Sequence, residues 1–126
     1  MEVACDGTAN WLVVFSDYRQ VGPGIHGAII SNTGTLLGGS DFLIASTSGL
    51  SQEFPICAFN GYDFVVAWTS TPPNLTNGSQ VSYTRVTASG QVASPLSLPS
   101  LSNPPNQALL FLAGQKPSGD TLLIYR

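Results

Sequence analysis

The sequence is most constrained by a strand that is apolar on both faces and occurs more than once. In "NWLVVFSD", Trp11, Val13 and Phe15 point to one side of an extended chain and Leu12 and Val14 to the other, and all five are apolar. "DFVVAWTS" repeats the pattern, with Phe64, Val66 and Trp68 set against Val65 and Ala67. "DTLLIYR" follows with Leu123 and Tyr125 against Leu122 and Ile124. A half-solvated antiparallel strand alternates apolar with polar residues, so these strands are expected to be covered on both faces.

The surrounding sequence repeats with them. Trp68 follows Phe15 by 53 positions, Gly90 follows Gly34 by 56, and "QALLFLAG" (107–114) follows "QEFPICAF" (52–59) by 55. The period is therefore about 55, with slips confined to loops. Each unit reads as four strands, which in the second copy are Ile56–Phe59, Phe64–Thr69, Val81–Thr87 and Gln91–Leu98. Asp6-Gly7 and Asn60-Gly61 mark the first tight turn. Asn32-Thr33-Gly34 and Ala88-Ser89-Gly90 mark the third, with glycine where a positive φ is expected. No segment sustains a 3.6-residue period, so no helix is expected.

A four-stranded antiparallel sheet repeated at this interval and buried by its own copies points to an all-β fold of β-propeller blades. The alternative is a two-sheet β-sandwich, which would leave one face of each sheet wet. The units are 1–54 (first repeat), 55–107 (second) and 108–126 (first two strands of a third). Two and a half blades leave apolar faces open, because propellers close rings of typically 4–8 blades. The expectation is a homo-oligomer joined through open blade faces, or a piece of a longer propeller.

Composition narrows the partners. Charged residues make up only 9% of the 126 residues, and the net charge is −3. There is no basic footprint for nucleic acid or for an anionic membrane surface. No apolar run reaches the length of a membrane span. "MEVACDG" has neither a basic n-region nor an apolar h-region, so an export signal, if there is one, is expected outside this sequence. Cys5 and Cys57 read most simply as free, small hydrophobes, with a disulfide between them as the alternative.

The segments "CDGTANWLVVFSDYR", "IHGAIISNTGTLL", "FLIAS" and "QEFP" resemble tandem repeats of large secreted or surface-attached bacterial proteins, repeats that are read as propeller blades. The second copy keeps "AFNG" and "VVAW" but has "TSTPP" in place of Asp17-Tyr18-Arg19. The resemblance implies an extracellular or cell-surface location and names blades without naming a ligand. Neither the sialidase Asp-box nor the WD40 signature is present.

Longer connections alternate with tight turns: Asp17–Gly24, Ser70–Gln80, Ser46–Phe54 and Ser100–Gln107 all emerge at one end of an up-and-down sheet. Long loops on a rigid scaffold are where binding usually sits. Asp17, Tyr18, Arg19, Glu53, Asn74 and Asn77 are therefore the candidate ligand-binding residues. The plainer reading of Asp17 and Arg19 is a loop-ordering ion pair. Tyr18 reads equally as a rim aromatic or a sugar-stacking platform. Asn74-Leu75-Thr76 and Asn77-Gly78-Ser79 are formal glycosylation sequons and also ordinary turn sequence.

Catalytic signals are poor. Ser16, Asp17 and His26 have the letters of a triad without a nucleophile elbow. Asp17, Glu53 and Asp63 offer carboxylates for glycosidase work, though Asp63 belongs to the short-turn end. No residue spacing marks a metal site, and no cofactor is expected. The leading expectation is a non-enzymatic binding or adhesion module for a carbohydrate or protein ligand. A purely structural propeller fragment and part of a polysaccharide-acting propeller enzyme are the alternatives.

Overall fold

The computed structural model describes residues 1–19, 23–74, 78–99, 109–114 and 118–125. These residues form β1 (Glu2–Cys5), β2 (Asn10–Asp17), β3 (Gly24–Ser31), β4 (Leu36–Ala45), β5 (Ser51–Phe59), β6 (Phe64–Thr71), β7 (Gln80–Val86), β8 (Leu96–Ser97), β9 (Leu109–Gly114) and β10 (Thr121–Tyr125). The described residues are all-β. Two four-stranded antiparallel sheets run in sequence order, β1-β2-β3-β4 and β5-β6-β7-β8, and β9 pairs with β10 in a third, two-stranded sheet.

Strand alternation decides what packs on what. Leu12 and Val14 of β2 and Ile25 and Ile29 of β3 form the inner face of the first sheet. They meet Phe64, Val66 and Trp68 of β6 in one core, where Leu12, Val14, Phe64 and Val66 are completely buried. Val65 and Ala67 point the other way and form a second cluster with Ile56, Ala58, Tyr83 and Leu123 of β10. The large-aromatic face of the second sheet thus packs on the smaller aliphatic face of the first. The third sheet repeats this arrangement in the same sense, with Leu123 at the position equivalent to Val66.

Among the described residues only the middle sheet is covered on both sides, and the flanking strands keep one apolar face open. Trp11 on β2 is 42% exposed, and Leu122 and Ile124 on β10 are 57% and 44% exposed. β6, by contrast, is buried from Phe64 to Ser70. Burying each large side chain here contributes roughly 1.5–3 kcal/mol.

The turns follow their sequence. Asp6 Oδ1 accepts hydrogen bonds from the backbone N–H groups of Thr8, Ala9 and Asn10 at 2.8–3.1 Å, and Oδ2 accepts one from Asn10 Nδ2. In the second repeat Asn60 Oδ1 takes the N–H groups of Tyr62 and Asp63, and Asn60 Nδ2 donates to the Gly119 carbonyl at 3.0 Å. Asn60 therefore closes its own hairpin and ties it to the third sheet. Gly34 and Gly90 adopt φ of 82° and 85°, the left-handed conformation that their turns demand.

The largest departures from the sequence reading are in the first and fourth strands of the second repeat. The first strand of the second repeat begins at Ser51 rather than Ile56, because a register shift between Glu53 and Ile56 lets the chain pass Phe54-Pro55 without ending. Proline cannot donate to a ladder, and a bulge accommodates it. That extension shortens the connection after Ala45 to Ser46–Leu50. The fourth strand contracts from Gln91–Leu98 to Leu96–Ser97, with an isolated bridge between Val86 and Val92. Pro95 interrupts the edge between them.

Cys5 and Cys57 are both free. Cys57 belongs to the core between the first two sheets, while alternation along β1 turns Cys5 to the outer face beside Trp11. Burial, with the nearby Glu2 carboxylate adding to it, pushes the Cys57 thiol up to about 12. Native alkylation at about pH 8, near the ordinary thiol value, should therefore spare Cys57 until denaturant is added. Rapid native modification, read by mass spectrometry, would contradict its inward placement. Replacing Asp6 by Ala should cost about 1–3 kcal/mol in chemical denaturation by leaving hairpin donors unpaired, and Asp6→Asn should cost less because Asn60 fills the same role.

Candidate functional site

The end of the first sheet that carries the β2–β3 connection gathers four ionisable side chains. Asp17 ends β2 and pairs with Gly24, while His26 sits opposite Phe15 two residues further along β3. Alternation brings the Asp17 and His26 side chains to the same outer face, and Asp41 joins them from β4. His26 Nδ1 lies 2.8 Å from Asp41 Oδ2, and its Nε2 lies 3.6 Å from Asp17 Oδ2. The imidazole is thus held between two carboxylates, with its ring tilted against Phe15 at 6.0 Å between centroids.

Arg19 closes the group. Its Nε donates to both Asp17 oxygens at 2.9 and 2.7 Å, and its Nη2 reaches Asp41 Oδ2 at 2.9 Å. The Arg19 backbone N–H also donates to Asp17 Oδ1. The Asp17 side chain is 7% exposed, whereas that of Arg19 is 68% exposed. The guanidinium therefore caps a buried carboxylate from the solvent side.

The Arg19 side-chain and backbone hydrogen bonds hold the Asp17 carboxyl at about 2, below its ordinary 3.8. The His26 hydrogen bond, followed by Arg19, lowers the Asp41 carboxyl against the opposing effect of burial. Donors of Asp17, His26 and Asp41 all lie within 4.8 Å of one another. Cation-binding geometry is present, but the Arg19 guanidinium already supplies the positive charge, so the arrangement orders the chain leaving β2.

Tyr18 and Glu53 form a second contact at this end. The Tyr18 hydroxyl donates to Glu53 Oε1 at 3.3 Å, linking the β2–β3 connection to β5. Of the six sequence candidates, Asp17 and Arg19 come together directly, and Tyr18 and Glu53 pair beside them. Asn74 is exposed in the β6–β7 connection, and Asn77 lies outside the described residues.

Sequence reasoning missed Asp41 because it lies 15 residues beyond His26 on a strand without a motif; only the β3–β4 pairing makes them neighbours. It also considered His26 only as one letter of a triad. Ser16 alternates to the opposite face from His26, so the triad letters are not brought together. Asp63 sits at the other end of β6, with its carboxylate 4.0 Å from Arg85. The three candidate glycosidase carboxylates are therefore divided between the two ends.

The second repeat carries neutral groups at the matching positions. Ser70 replaces Asp17 and Ser82 replaces His26, and Ser82 Oγ lies 3.3 Å from Ser97 Oγ. Comparison with known proteins found no matching family model, no matching curated protein and no matching solved structure.

The depressed Asp17 carboxyl contributes stability that is fully present above its unfolded value near 3.8 and lost as pH falls towards about 2. Thermal melts across that window should show wild type losing stability more steeply than Asp17→Asn. Parallel curves for the two proteins would show that the carboxylate is not specifically stabilised.

Proposed function

We propose that the chain is a non-enzymatic repeat module of propeller type, that its sheets act as blades, and that it serves binding or adhesion outside the cell. The supporting observation is the common sense of packing at both internal interfaces. Phe64, Val66 and Trp68 press on the Leu12 and Val14 face, and Leu123 presses on the Val65 and Ala67 face. A sandwich accounts for the first contact but gives no reason for the second, since it would leave Val65 and Ala67 towards solvent.

Head-to-tail packing leaves two unlike faces uncovered. The leading face carries Trp11, Val13 and Phe15, with Val3 and Leu43 each 53% exposed; the trailing face carries Leu122 and Ile124. These faces match in kind the two halves of each internal contact, so a second copy of the same sheets is the natural occupant. The two-stranded third sheet also leaves a cleft of about 360 Å³ beside β10, lined by Val65, Tyr83, Arg85 and Leu98 among others. Low charge and the resemblance to secreted repeats support the extracellular setting, and the exposed Tyr18 supports a binding role for the long-loop end. The absorption of Asp17 and Asp41 by Arg19 favours a non-catalytic reading.

The test is assembly. Light scattering should give a mass several times the 13.2 kDa of one chain, and a single well-folded monomer would overturn the reading. Trp11→Glu and Ile124→Glu should each block one face. Mixing the two variants should then yield a heterodimer, because each retains the face that the other lacks. A symmetric face-to-face dimer would instead be abolished by Trp11→Glu alone, and mixing would produce no new species.

A further inference from the structure

A second site lies between the first two sheets, at the same end as the charged group but facing inward. There residues of the β4–β5 connection and of the end of β6 line a cleft of about 230 Å³. Its floor includes Trp68, Gln52, Ser70 and Ser82, and its rim includes Thr47 and Ser97. Floor residues are buried and rim residues exposed, so the cleft opens to solvent. None of its lining residues is charged.

Among the described residues, two buried polar atoms of the lining side chains have no partner. Trp68 is 1% exposed and Gln52 is 2% exposed, yet Trp68 Nε1 and Gln52 Oε1 are buried without a hydrogen bond. Gln52 Nε2 donates to Thr47 Oγ1 at 2.9 Å, which orients the amide and leaves its other polar atom over. Turning the amide round would only exchange which atom is left. A buried polar group without a partner is costly, and such groups in native proteins are normally satisfied by water or a ligand. One orphan is a donor and the other an acceptor, and both belong to residues lining the cleft.

We propose that this cleft binds an uncharged, polyhydroxylated small molecule, a sugar ring or a polyol, through Trp68 Nε1 and Gln52 Oε1. A hydroxyl both donates and accepts, so one ligand can satisfy the indole N–H with one oxygen and the amide carbonyl with another. Serine and threonine hydroxyls around them extend the same chemistry, and the lack of charge disfavours anions and cations alike. The volume is below the ~300 Å³ lower end of ordinary ligand pockets, which suits a single ring. This site deepens the binding reading above and rests on it, but moves the ligand from the Asp17–Tyr18–Arg19 loop to the space between sheets.

The two tryptophans make the test direct. In the 15N-labelled protein, the indole N–H signals of Trp11 and Trp68 can be followed while glucose, galactose, their methyl glycosides and myo-inositol are each added to about 50 mM. That concentration lies well above the millimolar Kd expected for so small a ligand. The expected result is a saturable shift of the Trp68 signal with Trp11 unmoved, and at least tenfold weaker binding by Gln52→Leu. Binding of a methyl glycoside would mark a glycan end as the occupant, and binding of the free polyol alone a small solute; either supports the site.

A Trp68 signal that stays put under every addition would overturn the proposal and assign the orphaned atoms to structural water. Should resonances around Tyr18 and Arg19 shift without Trp68, the cleft is wrong and the binding reading stands. If no resonance moves, both fail for this ligand class. The wild-type titration decides the matter even if Gln52→Leu does not fold.

Discussion

The burial of β6 on both faces is the contact on which the rest of the structure depends. A strand with Phe64, Val66 and Trp68 on one side and Val65 and Ala67 on the other cannot meet water without exposing a large apolar area. It therefore needs two partners, and the chain supplies both. The inner face of the first sheet covers one side, and Leu123 of β10 covers part of the other. The backbone ladders on either side of β6, to β5 and β7, fix the register in which those partners are presented.

Sequence similarity between the repeats hides a division of labour at matching positions. Asp17 and His26 in the first repeat face outward, where Asp17 is bonded to Arg19 and His26 to Asp41. Ser70 and Ser82 in the second face inward, where a charge would have to be desolvated, and hydroxyls are far cheaper to bury. The two sites are thus the same lattice point seen once at a free surface and once inside an interface. The Asp6 and Asn60 pair shows the same logic. Asp6 serves a hairpin with several backbone donors, whereas Asn60 keeps an acceptor and gains the donor that reaches Gly119.

Much of the fold was legible because the period-2 pattern and the turn dipeptides are local signals. The four-strand unit, the tight turns and the absence of helix among the described residues all follow from them. Which flanking strands are covered could not be read locally, since Trp11 and Phe64 occupy equivalent places and differ in whether another sheet lies over them. The bulge at Phe54-Pro55 was also hidden, because a proline reads as a boundary until a partner strand accommodates it. Half of the charged site was visible as Asp17 and Arg19, adjacent in sequence. Its other half, His26 and Asp41, depended on cross-strand neighbours that no spacing rule reports. The Gln52–Trp68 cleft was less legible still, for it consists of ordinary residues whose only unusual property is a hydrogen bond not made.

The polarity of the stack has a geometric consequence. An interface between unlike faces does not saturate itself as a two-fold contact does, since every sheet added presents the same unsatisfied face again. In the assembly proposed above, the number of sheets would be fixed by the rotation from one sheet to the next and by whether those rotations sum to a full circle. Side-chain volume in the core that Trp68 and Leu12 share would set that rotation. In such an assembly, small changes in core size there would alter copy number or turn a ring into a fibre.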